Sequence, residues 1–212
     1  MKTFIQFLFL LTLVSNSLNG QENSNPSFEK AKLKNENVDK FFAENTNFPM
    51  SVSTNNVQEQ VILSFIINKS GEIDSVKLIS NPNKLFAIEA LSALDKSTGL
   101  WIPTKSNGQS VDKKYKAVFN FTTTKSFFDF KNKALKLQAK GDNEKALQAV
   151  DKALKIDGYD RELYQSRCMI YKNLNKTELA NSDIEKLKEL DDTLLADIWL
   201  TIIGIPRGNN SF

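Results

Sequence analysis

The hydrophobic period of this chain changes from two to 3.6 near residue 125, and no single element accommodates both periods. Upstream, Val57 to Phe121 reads strand, turn, strand, helix, loop, strand. Val61, Leu63, Phe65 and Ile67 alternate on one face, while Val57, Ile62 and Ile66 fall toward the other, which suits a strand covered on both sides. Asn68-Lys69-Ser70-Gly71 is hairpin chemistry, with Gly71 free to take positive φ. A second strand carries Ile73, Val76, Leu78 and Ile79, with Asp74 and Lys77 facing out. Asn81-Pro82-Asn83 ends it and caps a helix over about 84–96. That helix is expected to lay Leu85, Ile88, Leu91, Ala87 and Leu94 on the sheet. Trp101 in the following loop is read as core, its indole N–H needing a partner. Asn107-Gly108 turns the chain, and Tyr115 to Thr122 closes the sheet.

Downstream, residues 127–157 read as a helical hairpin around Gly141-Asp142. A shift of 34 residues finds a second, weaker copy. Phe130 aligns with Tyr164, Ala134 with Cys168, Leu137 with Tyr171, Ala146 with Ala180 and Val150 with Ile184. Small residues at Ala134 and Ala146 let paired helices cross closely. Cys168 takes a small-residue slot and is expected to be buried. Residues 193–203, TLLADIWLTII, read as a closing helix on the last hairpin, and 204–212 as a flexible tail.

Composition excludes several classes of function. The 212 residues contain no histidine and one cysteine. This removes His-based acid–base and nucleophilic chemistry, the common structural zinc sites and any internal disulfide. The net charge of +3 is spread over both halves without a basic stripe, so nucleic acid is not an expected partner. Asp74, Glu89 and Asp112 are scattered carboxylates with no base or metal partner. The expectation is a non-enzymatic binder with no cofactor, no metal and no small-molecule substrate.

At the N-terminus, Lys2, the apolar run Phe4–Val14 and the small residues Ser15, Ser17 and Gly20 have the layout of a secretory signal peptide over 1–20, cut near Gly20. The run is about half of the roughly 20 residues that a spanning helix needs. The expected location is periplasmic or secreted, with only indirect membrane contact once the signal is cut. An uncut anchor is the alternative. Residues 21–47 read as a linker with one marginal helix from about 28 to 44.

The Phe48-Pro49 entry, the VILSFIINKSGEI hairpin, the Ala87/Ala90 helix, the Trp101-Ile102-Pro103 corner, Gly108 and the VFNF ending occur in order across 48–124. Together they resemble the C-terminal domain of the TonB family of envelope proteins. The resemblance implies an α+β fold, with a small three-stranded antiparallel sheet and one packed helix, here followed by an all-α helical-hairpin repeat domain over 125–203. It implies pairing with extended peptide segments of envelope or outer-membrane proteins by strand addition at a sheet edge. In that topology the open edge is the last strand, which nominates Lys114, Tyr115, Lys116, Ala117, Val118, Phe119 and Asn120. Lys113, Lys114 and Lys116 then either discourage aggregation or attract an acidic peptide.

The period of 34 resembles tetratricopeptide repeats. That likeness implies a second, concave peptide groove lined by Phe128, Lys131, Leu135, Gln138, Glu162, Gln165, Met169 and Lys172, with Lys131 and Lys172 placed to hold a carboxylate. A plain solvated helix face has the same composition. A membrane-anchored part of a TonB-type energy-transducing system is the alternative reading. A full transducer carries an uncut anchor and a long proline-rich spacer, whereas this chain has five prolines in all.

Overall fold

The computed structural model describes residues 27–49, 51–52, 56–80 and 82–202. The expected signal peptide and C-terminal tail lie outside the described residues. In chain order the elements are β1 (Phe28–Glu29), β2 (Lys32–Leu33), α1 (Val38–Asn45), β3 (Gln58–Ile67), β4 (Ile73–Leu78), α2 (Lys84–Lys96), β5 (Trp101–Ile102), β6 (Lys105–Ser106) and β7 (Gln109–Ser110). They continue as β8 (Lys113–Thr122), α3 (Ser126–Ala139), α4 (Asn143–Ile156), α5 (Arg161–Asn173), α6 (Thr177–Thr193) and β9 (Leu194–Thr201). The expected α+β class is what the chain adopts.

The main sheet has the order β4-β3-β8-β9. β3 pairs antiparallel with β4 and, over ten residues from Gln58↔Thr122 to Ile67↔Lys113, with β8. Gly71 closes the β3–β4 turn at φ +83, where a Cβ would lie 2.5 Å from the Trp101 carbonyl oxygen. The site therefore demands glycine twice, for its φ and for the close approach. The other expected turn, Asn107-Gly108, joins β6 to β7 with both residues at positive φ, the pattern of a type I′ turn.

The expectation for the C-terminus is corrected. Residues 194–201 form a strand, not a closing helix, and β9 lies parallel to β8 from Lys116↔Leu194 to Thr122↔Thr201. The physical reason is a period of two. Leu194, Ala196 and Ile198 are buried in alternation with partly buried Leu195, Asp197 and Trp199. Apolar content alone did not separate the two periods. The sheet thus has four strands, the last contributed from beyond the helices.

The N-terminal flank is corrected as well. No helix forms from residue 28. Phe28–Glu29 pairs with Ser106 and Lys105, and Lys32–Leu33 pairs with Ile102 and Trp101. The helix starts only at Val38, where the Asn37 side chain accepts the Lys40 backbone N–H at 3.0 Å, an ordinary N-cap. Ala31, Leu33, Phe41 and Phe42 are buried in the main core, so this stretch belongs to the fold rather than tethering it.

Helices cover both faces of the sheet. On one, Phe42 and Phe86 pack with Val61, Leu63, Phe65, Phe119 and Ile198. Trp101 is buried there, and its indole N–H donates to the Ser97 hydroxyl at 3.1 Å, which satisfies the expected need. On the other face, Val118 packs with Leu190, Leu194, Ile62 and Tyr159, and Trp199 stacks on Phe127 of α3 at 4.2 Å. α3/α4 and α5/α6 form two helical hairpins. Ala134, Ala146, Cys168 and Ala180 are buried, as their small-residue slots require.

Candidate protein-interaction surfaces

The strand nominated as the open edge is interior. β8 bonds to β3 on one side and to β9 on the other, so Lys116, Ala117, Val118, Phe119 and Asn120 have no free edge to offer. Tyr115 is buried, with its hydroxyl 2.6 Å from Thr104 Oγ1 and accepting the Ala31 N–H at 3.2 Å. Lys114 is the exposed member of the set. Lys113 pairs with Asp192, and Lys116 Nζ lies 3.1 Å from Glu189. These lysines tie β8 to α6 instead of presenting free charge. The expectation failed because the covering strand comes from residues 194–201, some seventy positions away in sequence.

The outer side of β9 is occupied too. α1 packs beside it, with the Asp39 carboxyl facing the Asp197 backbone. The remaining edge of the main sheet is β4, all but one of whose residues are exposed. A register shift between Ser64 and Ile66 leaves Phe65 opposite two β4 residues, with Ser75 at φ +52. This bulge interrupts the row of backbone groups a partner strand would use. Side chains supply the better handle. Val76 and Leu78 on β4 and Leu85, Ile88 and Leu91 on α2 are 39–48% exposed. Between the two elements lies a groove lined by Ile73, Val76, Leu91, Leu94, Asp95 and Thr98.

That exposure corrects the expected face of α2. The residues laid on the core are Phe86, Ala87, Ala90, Ala93 and Leu94. Ala90 and Ala93 have no exposed surface and bring the helix axis close to the strands. Leu85, Ile88 and Leu91 are thereby turned outward. The signal was present in the sequence: alanines at 87, 90 and 93 mark a close-packing stripe by the reasoning already applied to Ala134 and Ala146.

Of the residues nominated for the repeat groove, α3 and α5 bring some together. Lys131 Nζ sits 2.6 Å from Asp160 and 2.8 Å from Glu162. It is neutralised within the chain, which corrects its expected role as a free carboxylate holder. Gln138 accepts the Ser166 hydroxyl at 2.6 Å and lies 3.8 Å from the Met169 sulfur. Phe128 leans on Trp199 at 5.0 Å between ring centres. Gln165, Met169 and Lys172 are exposed and Leu135 is half-buried. Among the described residues no group of three or more Cys, Asp or Glu side chains is placed to hold a metal ion.

A feature the sequence reading missed is a polar seam between the sheet and the repeats. Gln60 on β3 stands opposite Asn120 on β8, and Asp197 on β9 lies diagonally from Asn120, opposite Val118. Asn120 Nδ2 donates to Asp197 at 2.8 Å, and Gln60 Nε2 donates to Asn120 at 2.8 Å and to Asp157 at 3.2 Å. Asp157, at the end of α4, is fully buried. The sequence signal was a lone carboxylate, Asp197, inside an apolar run.

With the sheet, the entry segment and the packed helix in place, one part of the chain finds a match among known families. Residues 44–123 match the Gram-negative bacterial TonB protein C-terminal family model. The TonB C-terminal match begins within α1 and ends just past β8, leaving β9 and the four repeat helices outside it. No curated protein and no solved structure matches the chain. Among the described residues no helix is long and apolar enough to cross a membrane.

Proposed function

We propose that this chain is a non-enzymatic adaptor of the cell envelope, in the periplasm or secreted, that binds an extended apolar segment of an envelope or outer-membrane protein. The binding surface is the groove between β4 and α2. One observation carries this reading: Val76 and Leu91 line a groove between α2 and β4, the only uncovered edge of the main sheet among the described residues, and Leu78, Leu85 and Ile88 are further exposed apolar side chains on the same two elements. Exposed apolar side chains gathered on one side of a small domain are a usual mark of a protein-binding site. The TonB C-terminal match supports an envelope protein as the class of partner. The bulge at Ser75 makes side-chain burial, not a long backbone ladder, the main source of affinity. The exposed α3–α5 surface around Met169 serves as the second contact, a flexible thioether suiting a permissive surface.

Fully burying a leucine or isoleucine is worth roughly 1.5–3 kcal/mol, and these side chains are about half exposed. Replacing Ile88 with Glu and Leu91 with Lys together is therefore expected to reduce recovery of the bound envelope protein by at least about tenfold, with the unfolding temperature unchanged. Affinity capture from envelope extracts, with Met169→Lys as the comparison, measures this. Equal recovery by the folded groove variant would rule out the groove.

A further inference from the structure

The seam between sheet and repeats contains two carboxyl groups in contact. Asp157 Oδ1 accepts the Tyr159 N–H at 3.0 Å and the Gln60 amide at 3.2 Å. Its Oδ2 is buried with no hydrogen-bond partner. The Asp197 carboxyl adjoins it, and the Oδ1 of that group already accepts from Asn120. Two ionised carboxylates offer only acceptors to each other. The contact is satisfied when one proton sits between them, with the Asp197 acid donating to Asp157.

We propose that β9 and the repeat helices are locked onto the sheet by a proton shared between Asp157 and Asp197, so that the cover over the β8 edge loosens as the pH rises. The inference does not depend on what the β4–α2 groove binds. β9 is held by a parallel ladder, the less stable kind per residue, and Asp197 lies in its middle opposite Val118. Loosening it uncovers the edge next to β8 that the family's binding mode would use.

The surrounding charges favour the protonated pair. Asp160, at the start of α5, adds negative potential, and its own charge is met by Lys131 of α3. Asp39 of α1 faces the backbone of Asp197. Lys30 lies against the Asp191 and Leu194 carbonyls, and Arg161 against the Leu190 and Leu194 carbonyls and the Asp191 carboxylate, rather than against the pair. Tyr164 of α5 feels the charges of both Asp157 and Lys186 of α6. Burial, then the facing Asp157 carboxyl, pushes Asp197 up to about 9; burial likewise pushes Asp157 up to about 6. In the unfolded chain both ionise near 4. Because the folded values are the higher ones, the stabilisation is complete below about pH 4 and is lost as the pH climbs through about 9.

Asp197→Asn tests this in the full-length chain. The amide reproduces the protonated acid, its oxygen accepting from Asn120 and its nitrogen donating to Asp157. Between pH 6 and 9, hydrogen-exchange protection of the β9 amides, corrected for intrinsic rates, is expected to fall at least about tenfold in wild type and to stay flat in the variant. Carboxyl carbon resonances of the wild-type chain should show at least one of the two aspartates still protonated at pH 7. If Asp197→Asn does not fold, Asp157→Asn makes the same substitution from the other side. Wild-type protection that follows the same pH curve as the variant, or both carboxyls titrating below pH 5, would overturn the proposal.

Discussion

Arg167→Ala is expected to destabilise the chain by about 3–5 kcal/mol, because removing one partner of a buried ion pair strands the other charge. The guanidinium grips Asp183 bidentately, Nε at 3.0 Å and Nη2 at 2.7 Å, and reaches Asp151 through Nη1 at 3.0 Å. It lies between the rings of Tyr164 and Tyr171, at 5.2 and 5.8 Å. Asp183 on α6 is only 3% exposed. The arginine on α5 thus clamps α4 to α6 across the repeat layer. Arg167→Lys keeps the charge but not the fork or the stacking, so it is expected to recover only part of the loss. Urea unfolding measures both: the midpoint should drop with little change in slope. A loss under about 1 kcal/mol for the alanine variant would mean that Asp183 is solvated.

Phe42→Ala is expected to cost about 3–5 kcal/mol, the usual range for emptying a buried aromatic site. Phe42 has no exposed surface, and its ring centre lies 5.3 Å from Phe119 of β8 and 6.4 Å from Trp101. It also lies outside the segment that matches the TonB C-terminal family. A large effect in thermal or urea unfolding therefore makes the N-terminal flank part of the folded unit. A linker residue in the same position would change stability by only a few tenths of a kcal/mol.

Local chemistry was legible in the sequence, and so were most of the elements. Asn83 does cap α2, accepting the Leu85 N–H at 3.0 Å, and the helix ends at Lys96 as its spacing predicts. The four C-terminal helices fall where the period of 3.6 places them. What the sequence hid was non-local. A strand from residues 194–201 inserts beside β8, and no turn chemistry announces a partner that far along the chain. That insertion is what removes the nominated β8 edge. The helix face of α2 was misjudged for a different reason, since ranking by hydrophobicity placed leucines inward where close packing needed Ala90 and Ala93. The Asp157–Asp197 pair became visible only once β9 brought residue 197 against the end of α4.

The central claim is that the chain covers its own β8 edge and leaves the β4–α2 groove for partners. Amide hydrogen exchange over Lys116–Thr122 and Leu194–Thr201 in the full-length chain at mildly acidic pH tests it most directly. Lys116–Thr122 amides are expected to exchange as slowly as those of β3, and the paired β9 amides to be protected with them, while the β4 amides not bonded to β3 exchange at rates close to those of a free strand. Rapid exchange along β9, with β8 protected only where it bonds to β3, would contradict the account.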